Sequence, residues 1–98
     1  MNIHWTEAAI ADLHAIEAYI SRHSQRYADA MVRRIIERTE ALTEHQLLGS
    51  VVREYGNESL REILETPYRI IYQVSETQLD IIAVVHAARR MPPSVPSS

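Results

Sequence analysis

Apolar and polar positions along this 98-residue chain change period near its middle. In the first half apolar residues recur every three or four positions; in the second they alternate or run together. A 3.6-residue period marks an amphipathic helix, and a two-residue period or a short unbroken run marks a strand. Ile3 and Trp5 open the chain as a short strand over Asn2–Trp5. Thr6 follows as a helix N-cap, with Glu7 in the first turn where the helix dipole favours an acid. Ile10, Leu13, Ile16 and Ile20, widened by Ala9 and Tyr19, carry that helix to about Ser21, with Asp12 and Glu17 off the stripe. Ser24 caps a second helix reaching about Thr43, whose apolar face is Ala28, Met31, Val32, Ile35, Thr39 and Leu42. Arg33–Glu37 is an attractive i,i+4 pair and Arg34–Arg38 a repulsive one. The few residues around Arg22 and His23 make the two helices an antiparallel hairpin.

The second half reads as strands. Val51–Tyr55 is a short strand and Gly56-Asn57 a turn. Leu60–Glu65 alternates, Thr66-Pro67 breaks it, and Arg69–Val74 is rich in β-branched and aromatic residues. After the polar turn Ser75–Gln78, the run Leu79–His86 is interrupted only by Asp80, as expected of a strand covered on both faces. The expected fold class is α+β: an N-terminal strand, an α-helical hairpin, then a three- to four-stranded antiparallel sheet. The hairpin covers one sheet face and leaves the other partly open. Residues 1–92 are expected to form one domain. The proline- and serine-rich residues 93–98 are expected to be a flexible tail.

Composition narrows the chemistry. The absence of cysteine removes disulfides, thiolate catalysis and cysteine zinc sites. No apolar run is long enough to span a bilayer, and the N-terminus lacks a signal-peptide pattern, so a cytoplasmic location and no membrane partner are expected. His4, His14, His23, His45 and His86 are scattered without metal-ligand spacing, so neither metal nor other cofactor is expected. The net charge of −3 argues against direct nucleic-acid binding, which draws much of its affinity from phosphate neutralisation. All ten basic residues are arginine, which reflects either codon usage or selection for bidentate contacts to carboxylate or phosphate.

Arg61, Arg69, His86, Arg89 and Arg90 stand in or beside the strands, and they are expected to share one end or face of the sheet as a binding surface. Arg69 either pairs across strands with Glu62 or Glu65, or points to the open face as an anion contact. Arg61, Arg69, His86 and Arg89, with Glu62, also supply the residue types for metal-free RNA cleavage, which needs a base, an acid and cations around the phosphate. The plainer reading of His86 is that it ends a strand. Trp5 and Tyr19 are assigned to the core.

Three stretches resemble the RelE/ParE superfamily of bacterial toxin–antitoxin toxins, and its ParE branch in particular: IHWTEAAIADLHAIEAYI near the start, PYRIIYQV at Pro67–Val74, and IIAVVHAARRMP at Ile81–Pro92. The segment His45–Ser50 departs from the proline and L-G-R often found there. The resemblance implies the strand, hairpin and sheet order just derived. It also implies a toxin that is not an enzyme, that traps the cleaved-DNA complex of DNA gyrase, and that a cognate antitoxin neutralises within a hetero-oligomer. Arg61, Arg69 and Arg89 would receive antitoxin carboxylates. The alternative within the superfamily is a RelE-like, ribosome-dependent mRNA endonuclease. Arg61, Arg69 and Arg89 match its basic positions, but its lysines are absent and no tyrosine follows Arg89.

Overall fold

The computed structural model describes residues 1–89 and 91; Arg90 and residues 92–98 lie outside the described residues. The chain runs β1 (Asn2–Trp5), α1 (Glu7–Ser21), α2 (Gln25–Glu40), a 3-10 turn over Ala41–Thr43, β2 (Ser50–Val51), β3 (Leu60–Glu65), β4 (Tyr68–Val74) and β5 (Gln78–His86). The five strands form one sheet in the order β1-β5-β4-β3-β2. β1 lies parallel to β5, and the other pairs are antiparallel.

β5 is the longest strand and sits between β1 and β4, which is why its sequence is apolar on both sides of the pleat. A register shift passes over Ile82: Ile71 faces Ala83, whereas Tyr72 faces Ile81. Asp80, the one charge in the run, accepts a hydrogen bond from Gln78 at 2.6 Å and pairs with His4 of β1 at 3.2 Å. The helical hairpin packs on one sheet face. Ile16, Met31 and Ile35 meet Ile63, Ile70, Tyr72, Leu79, Ile81 and Val84 there, with Trp5 half-buried among them. A smaller apolar cluster of Val52, Leu60, Ile71, Ile82, Ala83 and Val85 lies on the other face, with Tyr55 and Met91 against it.

Two expectations change. The strand expected over Val51–Tyr55 is confined to Ser50–Val51, because Val52 leaves the edge and turns inward onto the second cluster, where it is fully buried. Tyr19, assigned to the core, is 60% exposed. The repulsive Arg34–Arg38 pair is relieved by Glu65 of β3, whose two carboxylate oxygens face the two guanidinium groups at 3.4 and 3.9 Å.

Polar residues of the first helix and its cap carry on where β1 stops. Thr6 accepts from the amide of Ala9 at 3.1 Å as an N-cap, and its hydroxyl lies 3.0 Å from the Ile81 carbonyl. The Thr6 amide also donates to that carbonyl at 3.1 Å. Asp12, one turn further along, accepts from the Val84 amide of β5 at 3.0 Å. Past the last β1–β5 pair, Trp5 with Ile81, a helix carboxylate thus satisfies a strand donor that would otherwise be buried unpaired.

Candidate functional site

The pleat decides which of the sequence-predicted residues meet. Along β3, Arg61, Ile63 and Glu65 point to the helical face, and Glu62 and Leu64 point away from it. Arg61 pairs in register with Tyr72 and Leu64 with Arg69, so Arg61 and Arg69 lie on opposite faces. His86 pairs with Tyr68 at the far end of the helical face. Arg61, Arg69 and His86 therefore occupy three separate places rather than one cluster. Arg89 joins His86, and Arg90 lies outside the described residues.

Arg61 ties down the linker. Its Nη1 donates to the Gly49 carbonyl at 2.9 Å and its Nε to the Glu58 carbonyl at 3.1 Å. Tyr72 works on the same linker: its hydroxyl donates to the Gln46 carbonyl at 2.8 Å and accepts from the Gly49 amide at 2.9 Å. Burial pushes the Tyr72 phenol above its ordinary range despite the Gly49 hydrogen bond, which acts the other way.

Arg69 sits on the open face between two carboxylates. Its Nη1 and Nη2 each donate to one oxygen of Glu54 at 2.9 Å, a bidentate fork, while Nε donates to Glu62 at 2.9 Å and Nη2 reaches the second Glu62 oxygen. The cross-strand partner foreseen among Glu62 and Glu65 is thus Glu62, while Glu65 faces the helices. Glu54 was missed because it comes from the loop after β2, to which strand spacing gives no address. The Arg69 hydrogen bonds hold the Glu54 carboxyl down at about 2. The Arg69 side chain is only 12% exposed, and both ends of its fork are occupied from within the chain.

The third place is a cleft of about 460 Å³ between α1 and the end of β5, in the size range of small-ligand pockets. Asp12, Ile16 and Tyr19 line it from the helix, and Tyr68, His86 and Arg89 from the sheet end. The rings of Tyr68 and His86 meet edge to face with centroids 5.7 Å apart. His86 Nδ1 accepts from the Ala88 amide at 3.1 Å, so a neutral imidazole carries its proton on Nε2. Burial raises the Asp12 carboxyl against the opposing Val84 hydrogen bond and the Arg89 charge, and burial also raises the Tyr68 phenol. Sequence reasoning missed Asp12 as a site residue and placed Tyr19 in the core. Their signal was the spacing Ala9, Asp12, Ile16, Tyr19, which runs along one helix face.

Among the described residues no group of three or more acidic, histidine or cysteine side chains is placed to hold a metal, and no helix is long and apolar enough to cross a membrane.

The chain is 35% identical over 86 residues to Toxin RelE2 of Caulobacter vibrioides, covering 87% of this chain and 93% of that protein. It is similar to a solved structure of the chromosomal ParDE TA system from P. aeruginosa, with a TM-score of 0.72 and 26% identity over 88% of this chain and 95% of that one. It also shares the fold of the YoeB dimer from Staphylococcus aureus, with a TM-score of 0.58 and 16% identity over 85% of this chain and 92% of that one. The family model for the ParE toxin of the type II toxin–antitoxin system parDE matches residues 3–91, and the chain belongs to this family of type II toxin–antitoxin toxins.

Proposed function

We propose that this ParE-family toxin acts in the cytoplasm by binding DNA gyrase and trapping its cleaved-DNA complex, and that a cognate antitoxin neutralises it. The observation that supports a gripping rather than a cutting role is the occupancy of its arginines. Arg69 is held by Glu54 and Glu62, and Arg61 is held by two backbone carbonyls. Cleaving RNA requires cations free to meet a phosphate and a nearby acid and base. On the open face the cation is already neutralised, and His86 lies on the other side of the sheet. The net charge of −3 also suits a protein partner better than the dense phosphate surface of a ribosome.

An antitoxin partner fits the edge of the sheet. β2 pairs only with Arg61 and Glu62, which leaves Ile63–Glu65 of β3 without a β2 partner. Native proteins cover such edges, and a disordered segment that folds on binding is one cover. The similar P. aeruginosa structure is of a ParDE TA system.

The second reading is a RelE-like, ribosome-dependent mRNA endonuclease, favoured by the name of the C. vibrioides relative. Supercoiling and cleavage-complex assays with purified gyrase, run beside a cell-free translation assay, separate the two. The gyrase reading expects accumulated cleaved DNA with translation intact. Arrested translation with untouched gyrase overturns it.

A further inference from the structure

The helical hairpin ends in a basic turn that the fold does not use. From Ala18 to Ala28 the chain carries Arg22, His23 and Arg26 and no acid, although its net charge is −3. All three side chains are exposed. Among the described residues Arg26 has no hydrogen bond, ion pair or ring contact, and Arg22 has only the Tyr19 ring, whose centre lies 6.0 Å from its guanidinium carbon. Arg34, Arg38, Arg61 and Arg69, by contrast, each have a partner within the chain. The acids that flank the turn face elsewhere. Glu17 and Asp29 line a groove between the two helices with Val32 and Ile36, and Asp29 accepts from Gln25 Nε2 at 2.8 Å. Two large rings frame the turn, Tyr19 at 60% exposure and Tyr27 at 66%.

A guanidinium over an aromatic face keeps its in-plane N–H groups free, so Arg22 remains a forked donor while the ring steadies it. Arginines interleaved with exposed rings hold a nucleic-acid strand without reading its sequence: the cations meet phosphates and the rings meet bases. An acidic protein surface would engage the arginines and leave Tyr19 and Tyr27 bare. The net charge of −3 opposes capture of free DNA. Fields of exposed charges fade over about 8 Å at physiological salt, however, so the turn acts locally on DNA that another protein already holds beside it. We propose that the tip of the helical hairpin contacts the cleaved DNA itself, with Arg22 and Arg26 on backbone phosphates and Tyr19 and Tyr27 as stacking faces. This contact rests on the gyrase reading above and deepens it: the toxin grips the trapped DNA as well as the enzyme. The tip is separate from the Arg69 face and from the free edge of β3.

The test uses the full chain, purified gyrase and a supercoiled plasmid, with two readouts. One is the toxin concentration that gives half-maximal cleaved DNA; the other is toxin affinity for DNA-free gyrase by calorimetry. The double variant Arg22→Ala/Arg26→Ala should bind DNA-free gyrase within about twofold of the parent, yet need about tenfold more toxin to accumulate cleaved DNA, as loss of two phosphate contacts predicts. Its half-maximal concentration should also rise less steeply with salt, by about two in log–log slope. Tyr27→Ala should need about fivefold more toxin, as loss of a stacking face does. Arg33→Ala removes an equally exposed and unpartnered arginine of α2 away from the turn, and it should match the parent. A double variant that traps DNA as well as the parent overturns the proposal, as does an equal loss for Arg33→Ala. Equal losses in both readouts overturn it too, because the tip then sits on gyrase rather than on DNA. A parent toxin that accumulates no cleaved DNA overturns the gyrase reading, and this contact falls with it. Arg22 and Arg26 hold nothing in the fold beyond the Tyr19 ring, so the double variant stays folded.

Discussion

Asp12 is the residue that most repays attention to its surroundings. Its carboxylate completes the β5 ladder through Val84, yet burial disfavours its charge enough to raise its pKa above 3.8. The hydrogen bond and the charge are therefore separable. Asp12→Asn keeps an acceptor for the Val84 amide and discards the desolvated charge, so it should stay within about 0.5 kcal/mol of the parent at pH 7. Asp12→Ala orphans the amide and should cost about 1–3 kcal/mol. Urea midpoints of the two variants check this, and equal losses would show that the hydrogen bond is not what matters. The pH dependence follows from the sign of the shift. A raised folded pKa means that the fold keeps this proton where the unfolded chain has lost it. The contribution is full below 3.8 and is lost as pH rises through the folded value. Glu54 works in the opposite direction. Arg69 holds it at about 2 against a usual 4.5, so its contribution is present above pH 4.5 and lost as pH falls toward 2. Because Glu54 is well exposed, solvent screens that pair, and Glu54→Gln should cost under about 1 kcal/mol. It should also flatten the fall in stability between pH 4.5 and 2, which acid titration of the two proteins by circular dichroism would reveal.

At the scale of elements, the linker into the sheet depends on a missing side chain. A Cβ on Gly49 would sit 2.4 Å from the Glu62 carbonyl oxygen and 2.8 Å from the Tyr72 hydroxyl, one of them backbone and the other held by two hydrogen bonds. Gly49→Ala should therefore destabilise the fold by about 1–3 kcal/mol, as overpacking does, and should loosen β2 first. Hydrogen exchange at Ser50 and Val51 reads this directly; unchanged protection there would mean that the linker moves aside at no cost. Local pattern located most of the elements. Helix caps at Thr6 and Ser24, the amphipathic stripe of α2 and the apolar run of β5 are each signalled by residues within a few positions of one another. β2 was read too long because Val52, a good strand residue, is drawn out of the edge by a cluster built from β3, β4 and β5. Tyr19 was read as core because helical spacing reports which face a residue occupies, not how far the sheet extends beneath it. At Tyr19 the sheet gives way to the cleft.

Across the whole molecule, the arginines and His86 that sequence proximity gathered into one surface are distributed by the pleat over two faces and one end. Residue type located the candidate chemistry, but only the register of β3 on β4 tells Arg61 from Arg69, and nothing local fixes that register. The distribution has an energetic consequence. Arg61 and Gly49 act on one linker, joined by a hydrogen bond of 2.9 Å, whereas Arg61 and Arg89 share no partner. Contacting residues couple, and separated ones add. In a double-mutant cycle, Arg61→Ala with Gly49→Ala should lose less stability than the two single losses summed, by about 0.5 kcal/mol or more, because either change alone already frees the linker. Arg61→Ala with Arg89→Ala should add within about 0.5 kcal/mol. Coupling between Arg61 and Arg89 of the size expected for the linker pair would mean that the helical face and the cleft respond as one unit. A ligand in the cleft would then be felt at the linker. Additivity leaves the molecule with separately tunable places: a linker clamp at Arg61, a neutralised fork at Arg69, and a cleft lined by Tyr68, His86 and Arg89.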